Sequence, residues 1–271
     1  MISRLNLLNN LIDNAFIIKS GNDGFYFLDC SNVKEINIKI NENVKANVLL
    51  SNIKKETKIK IDLADDSSLS LKSVLKDELH NLNIDANLQK NSDIQVHFAD
   101  FTNGNNNVKV NINLLKEGAK AYWHLASLSA GNDNKEFDVS LLHDSLNTFG
   151  ISDNYGVSKD DARLIFSGVS TIKNGAKGSN TRQNAKIMVF DENSKGIAKP
   201  VLKIDENEIA ASHGASVGKI SDDTMFYLTS RGLSQDEAKH LITMGYLKPI
   251  LDGFEEEEIK DEISSLIEER M

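Results

Sequence analysis

Between about residues 36 and 218, apolar and polar residues alternate in short bursts. Ile36, Ile38 and Ile40 stand against Asn37 and Lys39, and the pattern recurs at Val44, Ala46, Val48, at Ile59, Ile61, Leu63, and at Leu69, Leu71. It continues at Leu82, Ile84, Ala86, Leu88, at Ile94, Val96, Phe98, at Val108, Val110, Ile112, Leu114, around 122–128, and at Phe137, Val139, Leu141. A period of two turns one side of each segment inward and the other to water, which predicts half-buried strands. Successive bursts begin roughly 10 to 15 residues apart, as in all-β chains joined by short turns. Sandwich, barrel and solenoid all satisfy that spacing. The turns are rich in Asn, Asp, Ser and Gly without an Asn-Gly hairpin signature, and the rhythm lasts over a hundred residues, so a solenoid is favoured, each coil burying its inward residues by stacking on the next.

After Gly218 the spacing becomes helical. Ser221 caps a predicted helix through Thr224, Phe226, Tyr227 and Leu228, with Gly232 as a left-handed terminator. Ser234-Gln235-Asp236-Glu237 reads as a capping box opening a second helix, with Ala238, Leu241 and Ile242 on its buried face and Gly245 as its stop. Ile259, Ile263, Leu266 and Ile267 predict a third, whose acidic start at 255–258 suits the positive end of the helix dipole. The chain thus divides into an N-terminal segment (1–35), a β core (36–218) and a helical domain (219–271), with the helices expected to cover one end of the sheets.

Composition narrows the function classes. A 40% hydrophobic and 26% charged chain of 271 residues is ordinary for a globular protein. Its formal charge of -9 disfavours nucleic acid and anionic lipid as partners. The first twenty residues read as no signal peptide, and no apolar run reaches membrane-spanning length. The single cysteine, Cys30, excludes an internal disulfide and any all-cysteine cluster built by this chain, and fits a reducing, cytoplasmic setting.

Candidate chemistry is sparse. Gly214 to Lys219 fails as a phosphate loop, since three residues rather than four separate its glycines and Ile220 follows the lysine. The six histidines (80, 97, 124, 143, 213, 240) show no paired metal-ligand spacing. No nucleophile signature is present, and the pairs Asp65-Asp66 and Asp160-Asp161 read as solvated turn carboxylates. His213 differs in lying among small residues that leave room for a ligand or a facing subunit.

Several segments match a known family in order: Asn180-Thr181-Arg182-Gln183-Asn184, Pro200-Val201-Leu202-Lys203-Ile204, Ser212-His213-Gly214-Ala215-Ser216-Val217-Gly218 and Phe226-Tyr227-Leu228-Thr229-Ser230-Arg231-Gly232. His143-Asp144-Ser145-Leu146-Asn147-Thr148 and Phe166-Ser167-Gly168 add to them. Over about 120–250 the chain resembles the SufB/SufD family of the SUF iron–sulfur assembly system, and Ser-His-Gly-Ala resembles the SufD type. The resemblance implies a mainly β fold, a right-handed parallel β-helix with a small C-terminal α-helical domain. It implies a non-catalytic scaffold, pairing through its last coils with a SufB-like subunit or with itself as a homodimer. It also implies a docking surface for a SufC-like ABC-type ATPase that includes Phe226, Tyr227, Leu228, Arg231 and Gly232. His213 carries over as the residue that receives iron or a nascent iron–sulfur cluster, transient and shared with the partner. Two departures stand out: many SufD chains have a cysteine where Ala211 stands, and many have a long N-terminal helical domain for which this short form has no counterpart. The alternatives are a free-standing β-solenoid binding or structural protein and a carbohydrate-active β-helix enzyme, the latter disfavoured by aromatics at only 6%.

Overall fold

The computed structural model describes residues 6–7, 15–18, 23–76 and 78–271. Its strands are β1 (Asn6–Leu7), β2 (Ala15–Ile18), β3 (Gly24–Asp29), β4 (Glu35–Ile40), β5 (Lys45–Ser51), β6 (Glu56–Leu63), β7 (Ser68–Leu75), β8 (Asn81–Leu88) and β9 (Asp93–Asp100). They continue as β10 (Asn105–Leu114), β11 (Lys120–Ser129), β12 (Asn134–His143), β13 (Phe149–Ser158), β14 (Arg163–Ile172), β15 (Asn180–Val189), β16 (Lys195–Ile204) and β17 (Ala210–Lys219). Odd-numbered strands form one parallel sheet and even-numbered strands another, each strand pairing with the next but one in sequence. This is a two-sheet β-solenoid. Alternation along each strand supplies its core, as in β6, where every second residue from Thr57 to Leu63 is buried.

The ladders begin before residue 36. β2 pairs with β4 and β3 with β5, and Tyr26 and Leu28 point inward. Alternation is invisible in that stretch because Phe25 and Phe27, facing outward, are also apolar. Coils lengthen along the chain: Asp23 bonds Lys45 across 22 residues, whereas Lys177 meets Glu208 across 31. Turns between strands use left-handed residues that tolerate positive φ, among them Asn43, Asp66, Asn91, Asn147 and Asp160. Asp66 and Asp160 thus belong to the turns in which the sequence placed them.

Three helices follow: α1 (Asp222–Ser230), α2 (Gln235–Leu251) and α3 (Glu257–Arg270). Ser221 caps α1, Gly232 lies at φ 97°, and the Ser234–Glu237 capping box is formed on both sides. Gly245 does not stop α2, contrary to the sequence expectation. It lacks a positive φ, and the helix continues because Leu247, Ile250 and Leu251 still have solenoid surface to bury. Pro249 lies within this last stretch. The carbonyl its ring crowds, four residues back, is that of Gly245, where the backbone is most adaptable.

The helices also do not cap an end of the solenoid. α2 lies along its flank over β9, β11 and β13, packing Leu247, Ile250 and Leu251, with Phe254 of the turn that follows, on Ala99, Phe101, Ala126, Leu128 and Val157. Leu241, expected on the buried face, is 52% exposed, since that side of α2 looks away from the sheet. Burying each large apolar side chain stabilises this contact by about 1.5–3 kcal/mol. Ion pairs fasten its rim: Lys239–Asp191, Lys76–Glu262 and Arg270–Asp133, with Lys159 donating to the Met271 carbonyl at 2.8 Å. β16 and β17 are therefore left as uncovered edge strands.

Candidate functional site

His213 lies on β17 in the inward register. Tyr26, Val48, Leu71, Val96, Trp123, Ser152, Gln183 and His213 form one column, one residue from each odd strand from β3 to β17. Every member is buried except His213, which is exposed because no further coil covers it. Val217, in the same inward register, is 47% exposed for the same reason. On the facing sheet β16 offers Ala198, Pro200, Leu202 and Ile204 from its inward positions. The solenoid thus ends in an open cross-section with one imidazole among small and apolar groups.

The interior beneath it changes character. In early coils the inward residues are almost wholly apolar, whereas the last three also carry polar groups among Leu164, Phe166 and Ile187. Gln183 donates to Ser170 Oγ at 2.6 Å and to the Val201 carbonyl, and Thr181 donates to Ser170. Trp123 donates to Asn154, which donates to Ser152. These bonds satisfy groups that would otherwise be costly to bury, and they immobilise the floor on which His213 stands.

The three other strand histidines separate by parity, while His80 lies between β7 and β8 and His240 on α2. His143 and Asp144 are adjacent in sequence but diverge: His143 points inward, bonded through Nδ1 to Thr148 Oγ1 at 2.8 Å, while Asp144 pairs outward with Lys173. Burial holds the His143 pKa down at about 4. His124 faces outward, opposite to Trp123, and stacks on His97 with ring centroids 4.6 Å apart. Spacing in sequence could not show this pair, which ladder register brings together from 27 residues apart. A fully buried Lys135–Asp100 ion pair at 2.8 Å was equally hidden. Gly214 to Lys219 is strand, not a phosphate loop.

Among the described residues, no three His, Cys, Asp or Glu side chains converge to hold a metal ion. Cys30 is buried and its thiol is pushed up to about 12, chiefly by burial, so it carries little thiolate character. It follows β3, seven ladder steps from β17 and on the order of 30 Å away. His213 and Cys30 are therefore not brought together.

The second cluster of sequence-derived residues lies on α1. This helix buries no residue; Phe226 is 74% and Tyr227 57% exposed. The Arg231 guanidinium sits 5.3 Å from the Tyr227 ring centroid, and Leu228 is half-buried. Nearby, α2 and α3 frame a groove of about 390 Å³ lined by Leu241, Met244, Lys248, Leu251, Lys260 and Ile263. No described helix is long and apolar enough to cross a membrane.

Comparison with known proteins places these features. The family model described as "SUF system FeS cluster assembly, SufBD core domain" matches residues 28–246. The iron–sulfur cluster assembly protein SufD of Bacillus subtilis (strain 168) is 37% identical over 117 residues, 43% of this chain and 27% of that protein. An iron–sulfur cluster assembly SufBD family protein of Staphylococcus aureus (strain USA300) is 28% identical over 136 residues, 50% of this chain and 29% of its own length. Each match takes in less than a third of the relative. With most of its length inside the core-domain match, the chain belongs to the SufB/SufD family of the SUF iron–sulfur cluster assembly system and is SufD-like.

Proposed function

We propose that this chain is a non-catalytic scaffold subunit of cytoplasmic iron–sulfur cluster assembly, and that its open C-terminal cross-section is where a SufB-like subunit docks. The observation that carries this reading is the uncovered end itself. β16 and β17 present unpaired backbone edges together with exposed inward residues, including Val217 and Ile204. An uncovered edge of this kind is a ready template for pairing with another chain, and a second solenoid would continue both ladders and bury the inward positions.

In this reading iron or a nascent cluster is cargo. A neutral imidazole at His213 contributes one nitrogen donor, and thiolates from the partner supply the rest, since Cys30 is remote and protonated. The exposed Phe226 and Tyr227, with Leu228, Arg231 and the Gly232 turn behind them, then form the docking surface for a SufC-like ATPase, continued by the α2–α3 groove. An aromatic pair with a neighbouring arginine is the composition that concentrates binding energy at interfaces.

The test is a charge pair at the open end, Val217→Glu with Ile204→Glu, in co-expressed subunits analysed by light scattering and mass spectrometry. Loss of the SufB-like subunit with retention of the ATPase supports the reading. Retention of both subunits by the double variant overturns it.

A further inference from the structure

The outward face of the odd-numbered sheet carries a polar column that the assembly role does not use. Lys72, His97, His124, Asp153 and Asn184 follow one another in register on β7, β9, β11, β13 and β15. The corner between α2 and α3 sits on it. Gly253 approaches so closely that any Cβ there would collide with the His97 ring, and Phe254 meets the same ring edge-on, centroids 6.3 Å apart. His97 Nδ1 is closed off from solvent with no hydrogen-bond partner. Around the pair stand Lys72 on β7, Asp153 on β13 at 3.6 Å from His124, Arg182 on β15 at 3.6 Å from Asp153, and Glu256 on the corner at 3.6 Å from Lys72.

These groups answer a proton unequally. A proton on His124 has Asp153 beside it. A proton on His97 has none of this compensation: the ladder sets it between Lys72 and the stacked His124, and Glu256 is engaged by Lys72. We propose that the α2–α3 corner is a proton-sensitive clasp, in which protonation of His97 lifts residues 253–256 from the flank of the solenoid and loosens the helical domain. Lifting the corner hydrates the ring and separates the cation from the apolar Phe254.

Burial, then His124, then Lys72 hold the His97 pKa down at about 4. The docked corner therefore binds fewer protons than the lifted one. Docking is complete above the ordinary histidine pKa and weakens as pH falls from there toward about 4, by roughly tenfold per pH unit for one proton. His124, held down chiefly by its own burial, takes up protons in the same window, so the His97→Gln variant assigns the slope.

The experiment is hydrogen exchange of the full chain between pH 7.5 and 5, corrected for intrinsic rates, read on residues 252–258 and on β10 and β12 as internal reference. Corner protection falling about tenfold per unit below pH 6.5 is expected; a fall on β10 and β12 that comes from the buried His143 is separate and should persist in His97→Gln. His97→Gln should flatten that slope, and Gly253→Ala should leave the corner open at every pH. Flat protection in the wild type, or an unchanged slope in His97→Gln, overturns the proposal. Should His97→Gln not fold, the wild-type ring titration by NMR decides: an ordinary His97 pKa near 6.5 overturns the clasp, and a strongly depressed one sustains it.

Discussion

His213 stands directly above Gln183 in the β15–β17 ladder, the last step of an inward column that is buried at every strand from β3 to β15. A histidine in that place owes its exposure to the end of the solenoid rather than to an outward-facing position, and a partner that continues the ladder would enclose it.

His213→Ala should accordingly leave stability within about 0.5 kcal/mol, because an exposed side chain without fixed partners is removed. Cluster reconstitution in the assembled complex should fall, read by absorbance and iron content. Wild-type yield from an assembled variant would remove the ligand role. Failure to assemble would make His213 an interface residue.

Phe226→Asp with Tyr227→Asp should abolish ATPase binding without shifting the unfolding midpoint, since α1 buries nothing against the solenoid. Calorimetric titration with the ATPase reads the first and denaturant melts the second. This pair is a cleaner probe than deleting the helices, which would bare Phe101, Leu128 and Val157.

Much of this fold was legible in the residues. Strands such as β6 and β10 alternate without interruption, and the caps at Ser221 and Ser234 are set by side chains within one turn. β3 was hidden by outward-facing aromatics. The extent of α2 was hidden because tertiary packing of Leu247 and Ile250 outweighs a local glycine signal. Contacts such as His97–His124 or Asp100–Lys135 depend on register between coils of changing length, which no local pattern encodes. His213 stood out in the sequence as a histidine among small residues and through the family resemblance; that it belongs to the open end of an inward column is a property of stacking.

Gly156→Ala should destabilise the solenoid by about 1–3 kcal/mol, by overpacking. Its Cβ would fall against Leu164 and Phe166, both buried in the core. Urea unfolding measures the difference.

Lys135→Met should cost about 3–5 kcal/mol, because it strands the Asp100 carboxylate in a fully buried site. Asp100 keeps hydrogen bonds from Ser127 and Thr102, which places the loss toward the lower figure. The same urea series reads it.

Acid should weaken the fold through His143. Its depressed pKa means the native state resists protonation, so this contribution is complete above about 6.5 and is lost as pH falls toward about 4, by up to ~3 kcal/mol. His143→Gln should reduce that limb of the stability profile without abolishing it, since His97 is depressed alike; an unchanged limb would exclude His143 as a source.

The most direct measurement of the scaffold reading is capture of the chain from native extract under mild conditions, followed by identification and stoichiometry of what it holds. Recovery of a SufB-like subunit together with a SufC-like ABC-type ATPase is the expected result. Recovery of the chain alone, as a monomer or only as copies of itself, with no ATPase, would contradict it.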